Sequence, residues 1–462
     1  MFFGANESKM NNKKTEKGID RRSFLQSTAA AGAGLAFSPM VLGAASGGDD
    51  LNVAILGCGA QGQVLLDAII KGKVPGIRFK AICDIWTDWN QKRVSGILRA
   101  YKHEHNKYED YQAMLAAEKD LDAVLIATPD FWHSPHTVAC LEAGLHVYCE
   151  KEMSNTLEGA KKMVEAAKKT GKLLQIGHQR RSNPRYRHCY DKLLTEAKLL
   201  GRITTVNGQW NRSKTACEDI GWPKKNEIDA ATLEKYGFKD MQQFRNWRWY
   251  KGLGGGPIVD LGSHQIDIYS WFLGANPKSV IASGGVDYWQ GHDWYDNVMA
   301  IYEYETKEGT ARAFYQTITT NSAQGYYERF MGDAGTLEIS ESSARGSVYR
   351  ESWVDAGSWD KWVKLGYINP PEAPEEKKPA AGDTVLDVRE SPEPPSYDIP
   401  IGMEGKAYHQ PHLENFFDSV RGKAKLNCPG KIGYETAVTV LKVNEAIAAG
   451  KRLEFKPEDF EI

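Results

Sequence analysis

Short apolar runs alternate with helical patterns through the first part of the chain. The runs are Leu51–Leu56, Phe79–Cys83, Ala123–Ala127, His146–Cys149 and Leu173–Gly177. Between the last two, Leu157–Thr170 has the pattern of an amphipathic helix. Repeated strand–helix units of this length predict a parallel sheet with helices on both faces, which is a doubly wound Rossmann fold over 46–190.

The pattern changes near residue 191. Beyond it, apolar and polar residues alternate with a period of two over Val280–Val286, Asn297–Tyr304 and Thr310–Thr319. Runs of strands with few helices between them predict an α+β domain over 191–405, built on a large, open and mostly antiparallel sheet.

Helical patterns return near the C-terminus, over Pro411–Gly422 and Tyr434–Ala449. They define a last segment, 406–462. A chain of 462 residues exceeds what one hydrophobic core usually serves. The length therefore favours two domains followed by these C-terminal helices.

The first 45 residues have the pattern of an export signal. Asp20–Gln26 contains Arg21-Arg22 and precedes Ser27–Ala45, an uncharged run rich in alanine and glycine. This order is typical of a twin-arginine signal, and the run is too short and too weakly apolar for a stable membrane span. We expect residues 1–45 to direct the protein through the twin-arginine export machinery to the periplasm, with a membrane tether only if the signal stays uncleaved. The alternative is a tail that contains Arg-Arg by chance.

Composition excludes several classes of partner. The formal net charge of -2 gives no basic surplus for a nucleic-acid partner. The seven cysteines are odd in number and form no C-x-x-C pair, which predicts buried thiols rather than a disulfide scaffold. His103-x-His105 and His409-x-x-His412 lack accompanying ligands, so no metal site is predicted.

A glycine-rich turn follows the first strand. It reads Gly57-Cys58-Gly59-Ala60-Gln61-Gly62 and leads into a helix, the context in which G-x-G-x-x-G binds a dinucleotide. The glycines permit a tight turn, backbone approach to a pyrophosphate and close helix packing, and the helix N-terminus favours phosphate. Asp84, 22 residues past Gly62, ends the second strand where an acid binds a ribose 2′-OH. The pattern therefore predicts NAD rather than NADP; the alternative is a structural glycine turn.

Polar residues also stand at the ends of the later strands. Thr128-Pro129 with His133 follows the third run, Glu150-Lys151 the fourth, and Gln179 the fifth. Ligands of open parallel sheets bind at the carboxyl ends of the strands. These residues, together with Gly57, Gly59, Ala60, Gln61, Gly62 and Asp84, are the predicted cofactor contacts.

A second glycine-rich stretch lies in the α+β domain. Gly254-Gly255-Gly256 leads into Pro257, a favourable first residue for a helix, and that helix carries Asp260 and His264 on one face. A carboxylate beside an imidazole is a plausible acid–base unit near neutral pH. From these residues alone, a buried and satisfied His–Asp pair is an equal alternative.

These segments resemble the glucose–fructose oxidoreductase / inositol dehydrogenase / MocA (Gfo/Idh/MocA) family over most of 51–450. The resemblance rests on the glycine turn, Thr128-Pro129 with His133, Glu150-Lys151, Trp247-Arg248, Gly254 through Asp260-x-Gly262-x-His264-x-x-Asp267, and Asp296-Asn297-Val298. The family usually has Glu-Lys-Pro where this chain has Glu150-Lys151-Glu152. The resemblance implies that the C-terminal helices return toward the first domain. It also implies a homo-oligomer, a dimer or tetramer, formed through the open sheet.

The resemblance also implies roles for the reacting groups. Lys151, Asp260 and His264 become the catalytic set, in which His264 is the base, Asp260 orients it or binds a hydroxyl, and Lys151 polarises the oxygen. The substrate is then a small sugar or glycoside. An aromatic, polar pocket for it would draw on Arg180, Arg181, Trp222, Trp247, Tyr250 and His264.

Export would separate the enzyme from the free cytoplasmic NAD pool, so we expect NAD to be bound tightly and recycled. The first hypothesis is an oxidoreductase that oxidises a ring hydroxyl, for example at C3, and then reduces a second carbonyl. The alternative is an NAD-dependent glycoside hydrolase that uses transient oxidation, elimination, water addition and re-reduction. A non-catalytic sugar or nucleotide sensor is the third hypothesis.

Overall fold

The computed structural model describes residues 50–342, 345–370 and 394–462. The predicted export signal over 1–45 lies outside these residues. The described residues belong to one compact unit. None of the helices described in these ranges combines the length and the hydropathy needed to cross a bilayer.

A six-stranded parallel sheet forms the first half of this unit, in the order β3-β2-β1-β4-β5-β6. Its strands are β1 (Leu51–Leu56), β2 (Ile77–Cys83), β3 (Asn106–Tyr108), β4 (Ala123–Ile126), β5 (His146–Cys149) and β6 (Leu174–Ile176). The order reverses between β1 and β4, which opens a crevice at their carboxyl ends. The doubly wound sheet predicted from the apolar runs is confirmed.

Five helices flank this sheet: α1 (Ala60–Ile70), α2 (Lys92–Ala100), α3 (Tyr111–Ala117), α4 (Asp130–Glu142) and α5 (Leu157–Thr170). The predicted helix over Leu157–Thr170 is found with the same bounds. It begins where the Thr156 hydroxyl accepts a hydrogen bond from the Gly159 amide, and it ends at Gly171, whose φ is +68°.

The second sheet has nine strands in the order β14-β13-β12-β11-β7-β10-β9-β8-β15. They are β7 (Ile203–Asn211), β8 (Pro277–Gly285), β9 (Asn297–Thr306), β10 (Gly309–Ile318), β11 (Tyr326–Gly332), β12 (Gly335–Ile339), β13 (Gly346–Arg350), β14 (Ser396–Asp398) and β15 (Leu453–Glu454). The β7–β10 pair is parallel and the other pairs are antiparallel. This confirms the predicted open, mostly antiparallel sheet.

The described residues contain eight further α-helices: α6 (Pro184–His188), α7 (Lys214–Cys217), α8 (Ala230–Lys235), α9 (Met241–Arg245), α10 (Gly256–Leu273), α11 (Gly357–Lys364), α12 (Gln410–Val420) and α13 (Gly430–Ala449). The long helices α10 and α13 cover one face of the second sheet and contact each other. Helix α13 also contacts α5 and β6, and α12 contacts α1. One continuous apolar core therefore runs from the first sheet to the second.

The seven cysteines all fall within the described residues, and each is buried as a thiol. The expectation of small buried side chains without a disulfide scaffold is confirmed.

Candidate active site

The glycine turn after β1 has the shape that a dinucleotide needs. Gly57 has φ +89°, and a Cβ there would lie 2.5 Å from the Ala127 carbonyl oxygen. A Cβ on Gly62 would lie 1.9 Å from the Gly57 carbonyl oxygen. By contrast, a Cβ on Gly59 would meet only the Asn90 amide, at 3.8 Å. Gly59 caps α1, so the backbone faces open space where the helix N-terminus favours a phosphate.

Gln61 lies on the first turn of α1, directly after Ala60. Its amide nitrogen is 3.0 Å from Nε2 of His409, in the segment before α12. That segment, 402–409, lines a cleft of about 550 Å³ together with Val64, Arg185 and Glu341. The C-terminal part of the chain therefore reaches the predicted pyrophosphate side of the first sheet.

Asp84 stands at the carboxyl end of β2, where the sequence predicts contact with a ribose. Its carboxylate accepts hydrogen bonds from the amides of Cys58 and Trp86, each at 2.7 Å. Burial raises the pKa of Asp84 to about 6, although these hydrogen bonds oppose the shift. The side chain is thus fixed against the glycine turn, and its contact with ribose stays a prediction.

The loop after β4 is tied to the loop after β5 by His133. Its ring nitrogens lie 2.7 Å from the Thr128 carbonyl oxygen and 2.6 Å from the Glu152 carbonyl oxygen. Burial lowers its pKa to about 4. The Thr128 hydroxyl is 3.1 Å from His136, and Pro129 caps α4. A neutral imidazole carries one N–H, so His133 donates to one of these carbonyl oxygens and packs against the other. The ring lies between the two loops, and its predicted contact with the cofactor stays a prediction.

Lys151, which follows β5 of the first sheet, contacts Asp260 on α10, which packs on the second sheet. The Lys151 ammonium lies 3.1 Å from Asp260 Oδ1 and also donates to the Asp260 carbonyl oxygen. Its backbone amide donates to the buried Glu150 carboxylate at 3.3 Å, and the Lys151–Glu152 peptide bond is cis. Two residues separated by 109 positions thus come together, as the assigned catalytic set requires.

Arg248 completes this cluster, and the sequence assigned it no role. Its Nε lies 3.0 Å from Asp260 Oδ1. Burial alone would raise the pKa of Asp260, but Arg248 and Lys151 outweigh it and hold the pKa well below its usual value. Among the described residues the Asp260 carboxylate contacts Lys151 and Arg248 and makes no hydrogen bond to His264, so its role as an orienting group for the imidazole or as a ligand of a substrate hydroxyl stays a prediction. In this structure the carboxylate orients Lys151.

His264 lies one turn further along α10. Its ring is buried, packs 5.5 Å from the Trp210 ring, and has no hydrogen-bond partner for Nδ1 within the described residues. Burial lowers the pKa of His264 well below its usual value, and the cations Lys151 and Arg180 lower it further. At neutral pH the imidazole is therefore uncharged and able to accept a proton.

A second histidine lies beside this set. His178 is the second residue after β6, its side chain is buried, and neither ring nitrogen has a partner in the part of the chain that the structure describes. Burial lowers its pKa to about 4, and Lys151 is among the charges that act on it. The sequence named its neighbour Gln179 instead. The same signal, a polar residue at a strand end, would have found His178.

Gln179 and Arg180 belong to a buried polar network. Arg180 pairs with Glu328 and, at 3.0 Å, with Glu341, to which Gln179 also donates at 3.1 Å. Nη2 of Arg180 and Oε1 of Gln179 have no partner among the described residues. The structure therefore gives both residues a role in holding the fold, and their predicted contacts with substrate and cofactor stay predictions.

Arg181 is likewise held in a buried ion pair, with Asp267 at 2.8 Å. The Thr436 hydroxyl donates to the same carboxylate at 2.9 Å. This pairing joins the segment after β6 to α10 and α13. A contact between Arg181 and substrate stays a prediction that this pairing does not support.

The three aromatic residues predicted for substrate lie in a separate cluster. Trp222, Trp247 and Tyr250 pack with Trp86, which follows Asp84 by two positions. Of these, Trp247 also lies under Arg248, 4.3 Å from the guanidinium. The structure therefore places this cluster beside the predicted ribose site, and only Trp247 is brought to the Lys151–Asp260 pair through Arg248.

Within residues 50–342, 345–370 and 394–462, no group of three or more His, Cys, Asp or Glu side chains is placed to hold a metal ion.

A doubly wound sheet with an open glycine turn, facing a Lys–Asp pair and a neutral histidine, defines a dinucleotide-dependent oxidoreductase. Comparison with known families makes this specific. The model of the oxidoreductase family with an NAD-binding Rossmann fold (GFO_IDH_MocA) matches residues 51–178, and that of the GFO/IDH/MocA C-terminal domain matches 192–338. The two matches together cover more than half of the chain. The chain belongs to the Gfo/Idh/MocA family.

Known relatives include sugar and polyol dehydrogenases. Inositol 2-dehydrogenase of Rubrobacter xylanophilus is 24% identical over 65% of this chain and 74% of its own length. D-glucoside 3-dehydrogenase of Escherichia coli is 31% identical over 36% of this chain and 40% of its own length. Apart from the Rubrobacter enzyme, the chain spans about half the length of the curated relatives that it matches.

Solved structures share the fold at lower identity. Levoglucosan dehydrogenase in complex with NADH and levoglucosan superposes with a TM-score of 0.63 at 18% identity, over 88% of this chain and 99% of that one. The WlbA dehydrogenase from Chromobactrium violaceum, in complex with NADH and UDP-GlcNAcA, gives 0.63 at 19% identity, over 88% and 97%. These likenesses confirm the two-sheet architecture.

Proposed function

We propose that this protein oxidises a ring hydroxyl of a sugar or glycoside and that it uses a tightly held NAD. One observation carries the proposal: Lys151, which follows β5 at the carboxyl edge of the first sheet, pairs with Asp260, and the neutral His264 lies one turn along α10 within range of the Lys151 charge. Relatives named as inositol and D-glucoside dehydrogenases support a polyhydroxylated substrate.

The residues present fit a dinucleotide. The open backbone at Gly59 and the N-terminus of α1 would hold the pyrophosphate, and Asp84 would bind the ribose hydroxyls. A carboxylate at that position disfavours a 2′-phosphate, which supports NAD over NADP. When bound, NAD supplies the hydride acceptor.

The protein's own groups handle the proton. The neutral His264 is the base that takes the proton of the reacting hydroxyl, and it becomes a cation as it does so. The Lys151 ammonium donates to the same oxygen and stabilises the negative charge that develops there. Asp260 holds Lys151 in place from one side, while Arg248 balances its charge from the other.

A clasp formed by residues 214–254 supports tight binding of the cofactor. From the second half of the chain it reaches the carboxyl edge of the first sheet, where Asn226 accepts from the Trp86 indole and Tyr236 accepts from the Trp132 indole at 3.1 Å. Gly252 accepts from Asn155 at 2.7 Å. Since these contacts span the edge where the dinucleotide would lie, they would have to break before the crevice could open widely.

The proposal extends to assembly and location. Ile281, Met299 and Ile301 are close to half exposed on the outer face of β8 and β9, and Ile281 pairs with Ile301. This apolar patch supports a homo-oligomer formed through the open sheet. Ile301→Lys should disrupt the oligomer, which light scattering would show as a lower molar mass.

We further propose export by the twin-arginine route. If this is correct, Arg21→Lys with Arg22→Lys should leave the protein in the cytoplasm on cell fractionation.

One experiment tests the activity. Purified protein is denatured to identify bound dinucleotide, and native protein is incubated with a panel of glycosides, with and without an added ketosugar acceptor. A ketosugar product, whose yield rises with acceptor, is the expected result. Release of free glycone with no net change in the cofactor would show that the enzyme hydrolyses glycosides and would contradict net oxidation. Ligand binding without any turnover, unaffected by Lys151→Met or His264→Gln, would establish a sensor, and absence of dinucleotide would contradict the shared premise.

A further inference from the structure

His178 occupies an unusual position for a buried histidine. It is the second residue after β6, at the carboxyl edge where ligands of such sheets bind, and only 1% of it is exposed. Both ring nitrogens are buried without a hydrogen-bond partner among the described residues. Burying an imidazole with neither nitrogen satisfied is unfavourable, and native proteins rarely do so without a purpose.

Two other histidines at the same edge show the usual solution. His412 is also buried, and its nitrogens lie 2.6 Å from the Ser182 hydroxyl and 2.9 Å from the Ile176 carbonyl oxygen. His133 has a backbone carbonyl oxygen beside each nitrogen, and as a neutral ring it donates to one of them. Both rings therefore make at least one hydrogen bond to the protein, whereas His178 makes none among the described residues.

Lys151 of the assigned catalytic set is among the charged groups that act on His178. Asp267, Arg181 and Lys151 are near enough to its imidazole to shift the pKa of the ring. The pKa of His264 is likewise shifted by Lys151 and by His178. The two buried imidazoles therefore share Lys151 as a charged neighbour.

Burial lowers the pKa of His178 to about 4, so the ring is neutral at physiological pH. A neutral imidazole carries one N–H donor and one acceptor nitrogen. A sugar hydroxyl also donates and accepts, so the two groups are complementary. A carboxylate or a phosphate would leave the acceptor nitrogen unpaired.

We propose that His178 is a second substrate-contacting imidazole, which hydrogen-bonds a sugar hydroxyl next to the one that reacts. This inference rests on the proposed function, since it names a further contact of the same site. His264 takes the proton, and His178 selects the substrate. Substrates that lack the neighbouring hydroxyl leave His178 unpaired and are disfavoured.

The test compares a substrate with its monodeoxy analogues. Kinetics are measured for the wild type, His178→Phe, His178→Gln and the control His412→Gln, together with the NAD content and the Tm of each. We expect His178→Phe to lower kcat/KM about 10- to 100-fold, to keep its NAD, and to hold or raise its Tm. For the wild type we also expect one deoxy analogue to have a kcat/KM lower than that of the parent sugar by a similar factor. This deoxy penalty should shrink to about twofold in His178→Phe. His178→Gln, which can still hydrogen-bond, should recover part of both effects, whereas His412→Gln should lower the Tm and keep the penalty.

Deoxy penalties in both His178 variants that equal those of the wild type would overturn the inference. So would activity that falls only in step with Tm and NAD content, because that pattern indicates a structural role. If the wild type oxidises no sugar at all, the proposed function itself fails. If it oxidises sugars with unchanged penalties, only the role of His178 fails.

Discussion

Two polar clusters lie side by side where the sheets meet, and they treat their charges differently. In the first, which we call the arginine cluster, Arg180 pairs with Glu328 and Glu341. In the second, the reaction cluster, Lys151 and Asp260 pair while the imidazoles of His178 and His264 keep nitrogens without partners among the described residues. In the arginine cluster most charged groups have a partner within the protein. In the reaction cluster both ring nitrogens of His178 and Nδ1 of His264 have none among the described residues and are available to a ligand.

This difference in pairing indicates that the arginine cluster stabilises the fold and that the reaction cluster serves the chemistry. Burial raises the pKa of Glu328 to about 7, even though Arg180 and the Tyr186 hydroxyl favour its ionised form. Such a carboxylate depends on its partner to remain buried. In the reaction cluster, by contrast, unpaired imidazole nitrogens cost stability and are retained where they serve a substrate. We therefore expect mutations in the two clusters to have opposite signatures.

The largest effect is expected in the arginine cluster. Arg180→Met leaves Glu328 and Glu341 without their buried cation, which should reduce the free energy of unfolding by about 3–5 kcal/mol. Urea denaturation measures this loss. The matched control is Arg329→Met, which removes an arginine that is 38% exposed and pairs with Glu338 on the same sheet. Its loss should stay below about 1 kcal/mol. Equal losses would contradict the distinction.

The next effect is expected in the reaction cluster. Lys151→Met removes the donor to the reacting oxygen and should lower kcat about 10²- to 10³-fold, with little change in Tm. Lys162→Met, which alters an exposed lysine on α5, serves as the control and should leave kcat unchanged. A Lys151 variant that loses stability in proportion to activity would assign Lys151 to the fold instead.

The smallest effect concerns pH. Burial, with Lys151 and Arg180, lowers the pKa of His264 well below 6.5. A base works only when it is neutral, so a lowered pKa moves the loss of activity to more acidic pH. The acid limb of kcat/KM against pH should therefore lie well below pH 6.5, and Arg180→Met, which removes one cation, should shift it upward if the variant stays folded. An acid limb at or above pH 6.5 in the wild type would contradict the neutral buried base.

Local patterns in the sequence predicted much of this protein. The apolar runs located β1, β2, β4, β5 and β6 of the first sheet and β8, β9 and β10 of the second. The helix over Leu157–Thr170 was predicted with its observed bounds because its cap and its final glycine are local signals. The glycine turn was equally predictable, because Gly57 and Gly62 lie where a Cβ would clash with the backbone near β1, while Gly59 leaves the backbone open. The resemblance built on those motifs then identified Lys151, Asp260 and His264.

What the sequence could not decide is which charges meet. Arg180 reaches Glu328 across 148 positions, and Lys151 reaches Asp260 across 109. Nothing in the local spacing of these residues distinguishes an arginine that pairs with a buried carboxylate from one that contacts substrate. The sequence therefore predicted both Arg180 and Arg181 as substrate contacts. Long-range packing decides these pairings, because it brings Asp260 of α10 to Lys151 and Glu328 of β11 to Arg180. The same packing buries His178 without a partner, because satisfaction of a polar atom depends on neighbours that only the tertiary structure brings near.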